Sequence, residues 1–283
     1  MTLTQVTARR SAAEAPLASR WRPVDLVCES PAGQEGEFVV RTKLLRDHKS
    51  AAMCIAEAVS YRVLACLGLR VADAFAVGIG AEFAANLTAQ FEIDPPVVPG
   101  RHWGTRLISD AIETTIEPDV YEDLRSPADI FMIYLGDVIC AYRDRQTHGN
   151  VLLVPAVGGR SLDVLPIDQS DCFGGPDCIC TPHLLDGARN QSYAQAFAGM
   201  ENLVLDGGPA LVEGARAKLM AAKSCILESV SFPPDAWYDR AGTDPGKIHD
   251  FLEYRIDNLD TLARLDHWRG MSRFGRGGDY VLL

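Results

Sequence analysis

The sequence predicts an α+β fold in two lobes, a small β-rich lobe followed by a larger, mainly helical one. Three observations lead there. Strand-like apolar runs cluster early, at Val24 to Cys28, Phe38 to Lys43 and Phe75 to Ile79. From Ser126 onward, helix-start signals and helical apolar spacing dominate, interrupted by one further pair of strand-like runs. A chain of 283 residues, 47% hydrophobic and 23% charged, has ordinary globular composition and is long enough for two lobes sharing a cleft.

Residues 1–20 are small, polar and slightly basic, without the hydrophobic stretch of a secretory signal, and read as a disordered leader. The small lobe is expected over 21–111. Val24 to Cys28 and Phe38 to Lys43 flank the turn-rich Glu29-Ser-Pro-Ala-Gly-Gln-Glu-Gly36, which reads as a hairpin. A helix from about Ala51 to Leu67 follows, with Ile55, Val59, Val63 and Cys66 on one stripe and Gly68 as its stop. Glu57, Tyr61 and Leu64 make a second stripe, so Glu57 is expected to be partly buried and to need a partner. Phe75 to Ile79 is a strand, Asp94 to Gly100 a breaker-rich loop, and Gly104 to Ile108 a short strand before the lobe boundary.

The large lobe is expected over 112–283. Ser126-Pro-Ala-Asp129 has the pattern of a helix start, and Ile130 to about Ala141 is apolar on nearly all sides, as a central core helix would be. After Pro182 the chain reads as helical, broken at Phe232-Pro-Pro-Asp-Ala-Trp237 and closed by a helix from about Ile248 to Leu265. Phe274-Gly-Arg-Gly-Gly278 reads as a flexible tail.

The net charge of −11 argues against a broad basic face and hence against a nucleic-acid partner. No apolar run reaches the ~18 residues that a membrane span needs. Eight cysteines without a signal peptide point to a reduced, cytoplasmic protein. Cys172, Cys178, Cys180 and His183 are zinc-type ligands, but their spacing departs from regular knuckles, and a thiol-rich loop is the simpler reading.

The chemistry concentrates in Tyr142-Arg-Asp-Arg-Gln-Thr-His-Gly-Asn150 and in Leu162-Asp-Val-Leu-Pro-Ile-Asp168. Two short β-type runs flank Gly158-Gly159, which suggests a hairpin. Folded about that turn, position 150 faces position 167, and Asn150 and Asp168 meet at the open end, where Asp144 enters. Two carboxylates and an amide oxygen are hard ligands suited to Mg²⁺. Phosphoryl transfer needs such a set, together with a lysine for the phosphates and a helix glutamate to steady it; Lys43 and Glu57 come in the right order. Taken singly, each residue has a plainer reading as a turn cap, strand end or solvated charge. Their joint order makes the functional reading.

Asp144-Arg145…Gly149-Asn150-Val-Leu-Leu and Leu165-Pro-Ile-Asp168-Gln-Ser resemble the catalytic segment of HipA-like kinases, relatives of protein and phosphatidylinositol kinases. Phe38-Val-Val-Arg-Thr-Lys43, the helix ending in Leu67-Gly-Leu-Arg-Val71, Phe232 to Trp237 and Phe251 to Leu259 resemble further segments of that family. The resemblance implies a two-lobed, protein-kinase-like fold with ATP and Mg²⁺ between the lobes. It implies Lys43 as the phosphate-binding lysine, Glu57 as its ion-pair partner, Asp144 as the catalytic aspartate, and Asn150 and Asp168 as metal ligands. Arg145 and His148 would shape the loop or lie near phosphate. The acceptor it implies is a hydroxyl, first a serine or threonine of a protein, second a small molecule or lipid headgroup. The sequence departs from the pattern in three places. Five residues rather than four separate Asp144 from Asn150, which leaves open a pseudokinase that binds nucleotide without turnover. Asp-Gln-Ser replaces Asp-Phe-Gly, with Asp171 as an alternative ligand. Ser30 to Gly36 is a weak match to a glycine-rich phosphate loop.

Overall fold

The computed structural model describes residues 3–12, 23–30, 36–113, 118–145, 150–191 and 197–271. The centre of the phosphate-loop candidate (31–35), His148 and the tail after 271 lie outside the described residues.

The amino-terminal part is built on strands β1 (Thr4–Ser11), β2 (Val24–Glu29), β3 (Phe38–Lys43), β4 (Ala74–Ile79) and β5 (Gly100–Arg106). They close into a barrel in the order β1-β2-β3-β5-β4, with β1 parallel to β4 and the other neighbours antiparallel. The β2–β3 hairpin is as the sequence predicts, with Val24 opposite Thr42 and Cys28 opposite Phe38. A disordered leader over 1–20 is not what forms at Thr4–Ser11, which is a barrel strand instead. Only Val6 of β1 is buried, so the strand shows almost no apolar alternation, and its place comes from backbone pairing with two partners.

Val24, Leu26, Val40, Phe75 and Val77 point into the barrel. Helix α1 (His48–Cys66) lies outside it, and α2 (Ala81–Gln90) contributes Ala84 and Leu87 to the barrel core. A Cβ on Gly104 of β5 would stand 2.4 Å from Val40 Cγ1 and 2.8 Å from Val77 Cγ2. The inward crowding that closes this barrel therefore needs glycine there. Gly104→Ala is expected to lower stability by about 1–3 kcal/mol; an unchanged urea midpoint would contradict this packing.

Helix α1 starts at His48, about one turn before the predicted Ala51. Asp47 caps it, accepting from the Ser50 N–H at 2.8 Å, while Ser50 Oγ accepts from the Asp47 N–H at 2.8 Å. It crosses α3 (Ala128–Ile139), where Gly136 permits close approach: a Cβ there would be 2.8 Å from Leu64 Cδ2. A separate three-stranded sheet is formed by β6 (Ile112–Glu113), β7 (Val151–Pro155) and β8 (Leu162–Pro166), in that order. The remainder is helical: α4 (Pro176–Cys180), α5 (Pro182–Ala188), α6 (Met200–Ala221, broken at Gly208-Pro209), α7 (Lys223–Leu227), α8 (Asp235–Ala241), α9 (Pro245–Asp257), α10 (Leu259–Leu262) and α11 (Leu265–Met271). Helices α1 and α3 share one large apolar core with these elements.

The expectation of uniformly reduced thiols fails at one pair. Cys66, at the end of α1, forms a disulfide with Cys225 of α7, 159 residues away. Among the described residues no helix is long and apolar enough to cross a membrane.

Candidate functional site

Alternation along β3 sets the site. Val40 and Thr42 are fully buried on the barrel side, so Arg41 and Lys43 point the other way, toward the helical lobe. Lys43 Nζ donates to Glu57 Oε1 of α1 and, at 2.6 Å, to Asp168 Oδ1 just beyond β8. One ammonium thus joins the barrel, the helix and the hairpin. Glu57 is buried, as its second stripe predicts. Arg41 is opposite Asp25 on β2 and is clamped by it, with Nε to Oδ1 at 3.0 Å and Nη2 to Oδ2 at 3.2 Å.

The hairpin brings the second half of the site. Val151 faces Pro166, and the Ile167 N–H donates to the Asn150 carbonyl at 3.1 Å, the pairing read from the Gly-Gly turn. Asn150 is buried, and its Nδ2 donates to the Asp144 carbonyl at 2.5 Å and lies 3.4 Å from Asp144 Oδ2. Asp168 has φ +53°, a left-handed turn directly after the strand. Its backbone carbonyl accepts from Tyr142 Oη at 2.6 Å and its Oδ1 from Ser170 Oγ at 2.7 Å. With its side chain 43% exposed, Asp168 is more open than either Lys43 or Glu57. Lys43, Glu57 and Asp168 therefore meet through their side chains, while Asn150 and Asp144 form a second pair, joined to the first group through the Asn150–Ile167 backbone bond.

The electrostatics follow from two carboxylates facing one ammonium. Burial disfavours the charged form of Lys43, but Asp168 and Glu57 outweigh it and raise its pKa. Burial likewise opposes ionisation of Asp168, yet Lys43 and the Ser170 hydroxyl hold it well below the usual carboxylate range. Glu57 is the group that yields: burial pushes it up to about 7, against the pull of Lys43.

Arg145 takes only one of the two roles open to it. Its guanidinium is buried, and all five N–H groups are used inside the protein. Nε and Nη2 pair with Asp137 of α3, both at 2.8 Å; Nη1 donates to the carbonyls of Asn150 and Ile167 at 2.8 and 3.2 Å; Nη2 also reaches Gln169 Oε1 at 2.9 Å. Its plane lies 4.3 Å from the Tyr142 ring centroid. The expectation that Arg145 contacts nucleotide is corrected: with no donor left over, it is the clamp that shapes the loop. Asp171 begins a short 3₁₀ turn, Cys172–Gly174, beside Gly175 and the Arg143 guanidinium.

Cys172, Cys178, Cys180 and His183 do not gather. Cys172 is fully buried, Cys180 Sγ lies 3.5 Å from the His48 carbonyl, and among the described residues no group of three or more His, Cys, Asp or Glu could hold a metal ion.

Sequence reasoning missed Asp137, Tyr142, Ser170 and the Arg41–Asp25 clamp. Asp137 had a signal, since a carboxylate inside the buried apolar run of α3 from Ile130 to Ile139 needs a buried cation.

A kinase shares this fold. The Helicobacter pylori proinflammatory kinase CtkA matches 94% of this chain and 96% of its own, with a TM-score of 0.53 and 12% sequence identity. At that identity the likeness is one of fold, a β-rich first part and a helical second part, here with a closed five-stranded barrel as the first. No family model and no curated protein matches the chain.

Proposed function

We propose that the chain is a phosphotransferase that moves the γ-phosphate of ATP to a hydroxyl acceptor. The observation that carries this is Lys43, whose ammonium reaches Glu57 and Asp168 at once across the meeting point of barrel, helix and hairpin. Lys43 binds phosphate oxygens and Glu57 holds it in place. Asp144 orients the acceptor hydroxyl and takes its proton. The donor set fits Mg²⁺: Asp168 is held ionised and partly open, and Asn150, the residue before β7, carries an amide oxygen. Magnesium bound by Asn150 and Asp168 would neutralise charge on the phosphates. Tyr142, Ser170 and Arg145 hold the backbone and side chains of this edge in place without touching substrate. A serine or threonine of a protein is the acceptor we favour.

Arg41 stands two residues before Lys43 on the same strand face, kept flat by Asp25. We place the nucleotide base against it, over Leu152 and Ile167, which lie on the face of the β7–β8 hairpin turned away from the helical core. Arg41→Ala is then expected to raise KM for ATP about tenfold with kcat little changed. A fall in kcat at constant KM would remove Arg41 from the base site.

The deciding experiment follows transfer of labelled γ-phosphate with Mg²⁺ in wild type, Asp144→Ala and Asp168→Ala. Both variants are expected to lose turnover by about 10³-fold or more. Magnesium-dependent ATP binding by the wild type, with no transfer to any acceptor or to itself, would instead make the chain a nucleotide-binding module.

A further inference from the structure

A cavity of about 610 Å³ opens between the barrel and α8, lined by neither Lys43, Glu57, Asn150 nor Asp168. Its size is that of a small-molecule site, and its position between two structural units is where such sites form. One wall is the outer face of the barrel, with Ala76 of β4 and Arg101 of β5; the other is Phe232-Pro233 and α8, with Arg240.

Three contacts hold the walls in place. Trp237 Nε1 donates to the Arg101 carbonyl at 2.8 Å, joining wall to wall. The N–H of Leu45, a residue of the lining, donates to the buried His102 Nδ1 at 2.8 Å. Phe232 stacks on Tyr61 of α1 with centroids 6.0 Å apart. The site is therefore formed before anything binds, which removes much of the ordering cost of association.

Its chemistry is apolar with a cationic rim. Arg101 and Arg240 are both exposed, and neither makes an ion pair with a carboxylate among the described residues. In a chain of net charge −11, two such guanidinium groups on one cavity make its lining locally cationic. Asp235, also in the lining, is the first residue of α8, where its charge answers the positive end of the helix. Two cations against one carboxylate leave the rim positive.

We propose that this cavity is a second ligand site that takes an organic anion, a carboxylate or phosphate ester carrying an apolar body. The body lies against Ala76, Phe232 and Pro233 while Arg101 and Arg240 hold the head group.

The test is calorimetric titration of the full chain with naphthyl phosphate, naphthoate and naphthol. At least one of the two anions is expected to bind saturably, and the tighter of them identifies the head group. Naphthol is expected to bind at least about tenfold more weakly, and Arg101→Gln combined with Arg240→Gln to weaken the anion by about tenfold or more. Ala236→Trp, at an exposed position of the lining, should block the site with the fold intact by circular dichroism. Saturating Mg-ATP should leave the affinity unchanged, so the outcome does not depend on the phosphotransferase reading. The proposal is overturned if neither anion binds saturably at millimolar concentration, if naphthol binds equally well, if the arginine substitutions or Ala236→Trp change nothing, or if Mg-ATP displaces the anion.

Discussion

Lys43→Met is expected to abolish phosphotransfer, by at least about 10²–10³-fold, and also to weaken the fold in a pH-dependent way. The activity loss follows from removing the cation aimed at the phosphates, a contribution of the size seen when one preorganised charge donor is deleted. The stability loss follows from the two carboxylates left behind. Asp168 is partly open and can turn to water, whereas Glu57 is buried beside the apolar core. Without Lys43, an ionised Glu57 is an unpaired buried charge, an arrangement that costs about 3–5 kcal/mol where it has been measured.

The sign with pH is fixed by the direction of the Glu57 shift. Its carboxyl is raised from 4.5 to about 7 in the folded protein even with Lys43 present. A carboxyl raised on folding binds a proton more tightly in the folded than in the unfolded chain. Its contribution is most favourable below pH 4.5 and is lost as pH rises through about 7. Removing Lys43 extends that loss to higher pH, so the variant's deficit in unfolding free energy should be larger at pH ~8 than at pH ~5. Urea unfolding of wild type and Lys43→Met at the two pH values measures it. A deficit that is equal at both, or larger in acid, would mean that Glu57 does not depend on Lys43.

The second large effect is expected at Arg145, which touches no substrate in the arrangement described. Arg145→Lys keeps the charge but cannot reproduce five donors in a fixed plane. At least two acceptors among Asp137, the Asn150 and Ile167 carbonyls and Gln169 would lose their partner in the interior. Stability is expected to fall by about 3 kcal/mol or more. Because the lost bonds bracket Asn150 and Asp168, activity per folded molecule should fall as well. Asp137→Leu together with Arg145→Met removes both charges, and should destabilise by less than the sum of the two single changes. A lysine variant with the wild-type urea midpoint would show that the five bonds are not what holds this edge.

Much of this site was legible because its geometry is local. The strand lengths around Gly158-Gly159 fix the register, and register alone puts Asn150 across from Ile167 and next to Asp168. Glu57 was legible as a charge on a second stripe of a helix buried on two sides. What stayed hidden depends on partners distant in sequence. The Cys66–Cys225 bridge spans 159 residues, and cysteine spacing does not encode pairing. Arg41 and Asp25 look like ordinary strand charges until the barrel sets them opposite one another. Arg145 reads equally well as a phosphate ligand or a clamp, and only its burial against Asp137 separates the two.

Strand β1 has a practical consequence. It is the stave that seals the barrel, seated between β2 and β4. Trimming the first dozen residues as dispensable would unzip two neighbours at once and bare two long hydrogen-bonding edges to other copies of the chain. Shortened versions prepared for crystallisation or assay should therefore begin ahead of Thr4, with any purification tag on the opposite terminus.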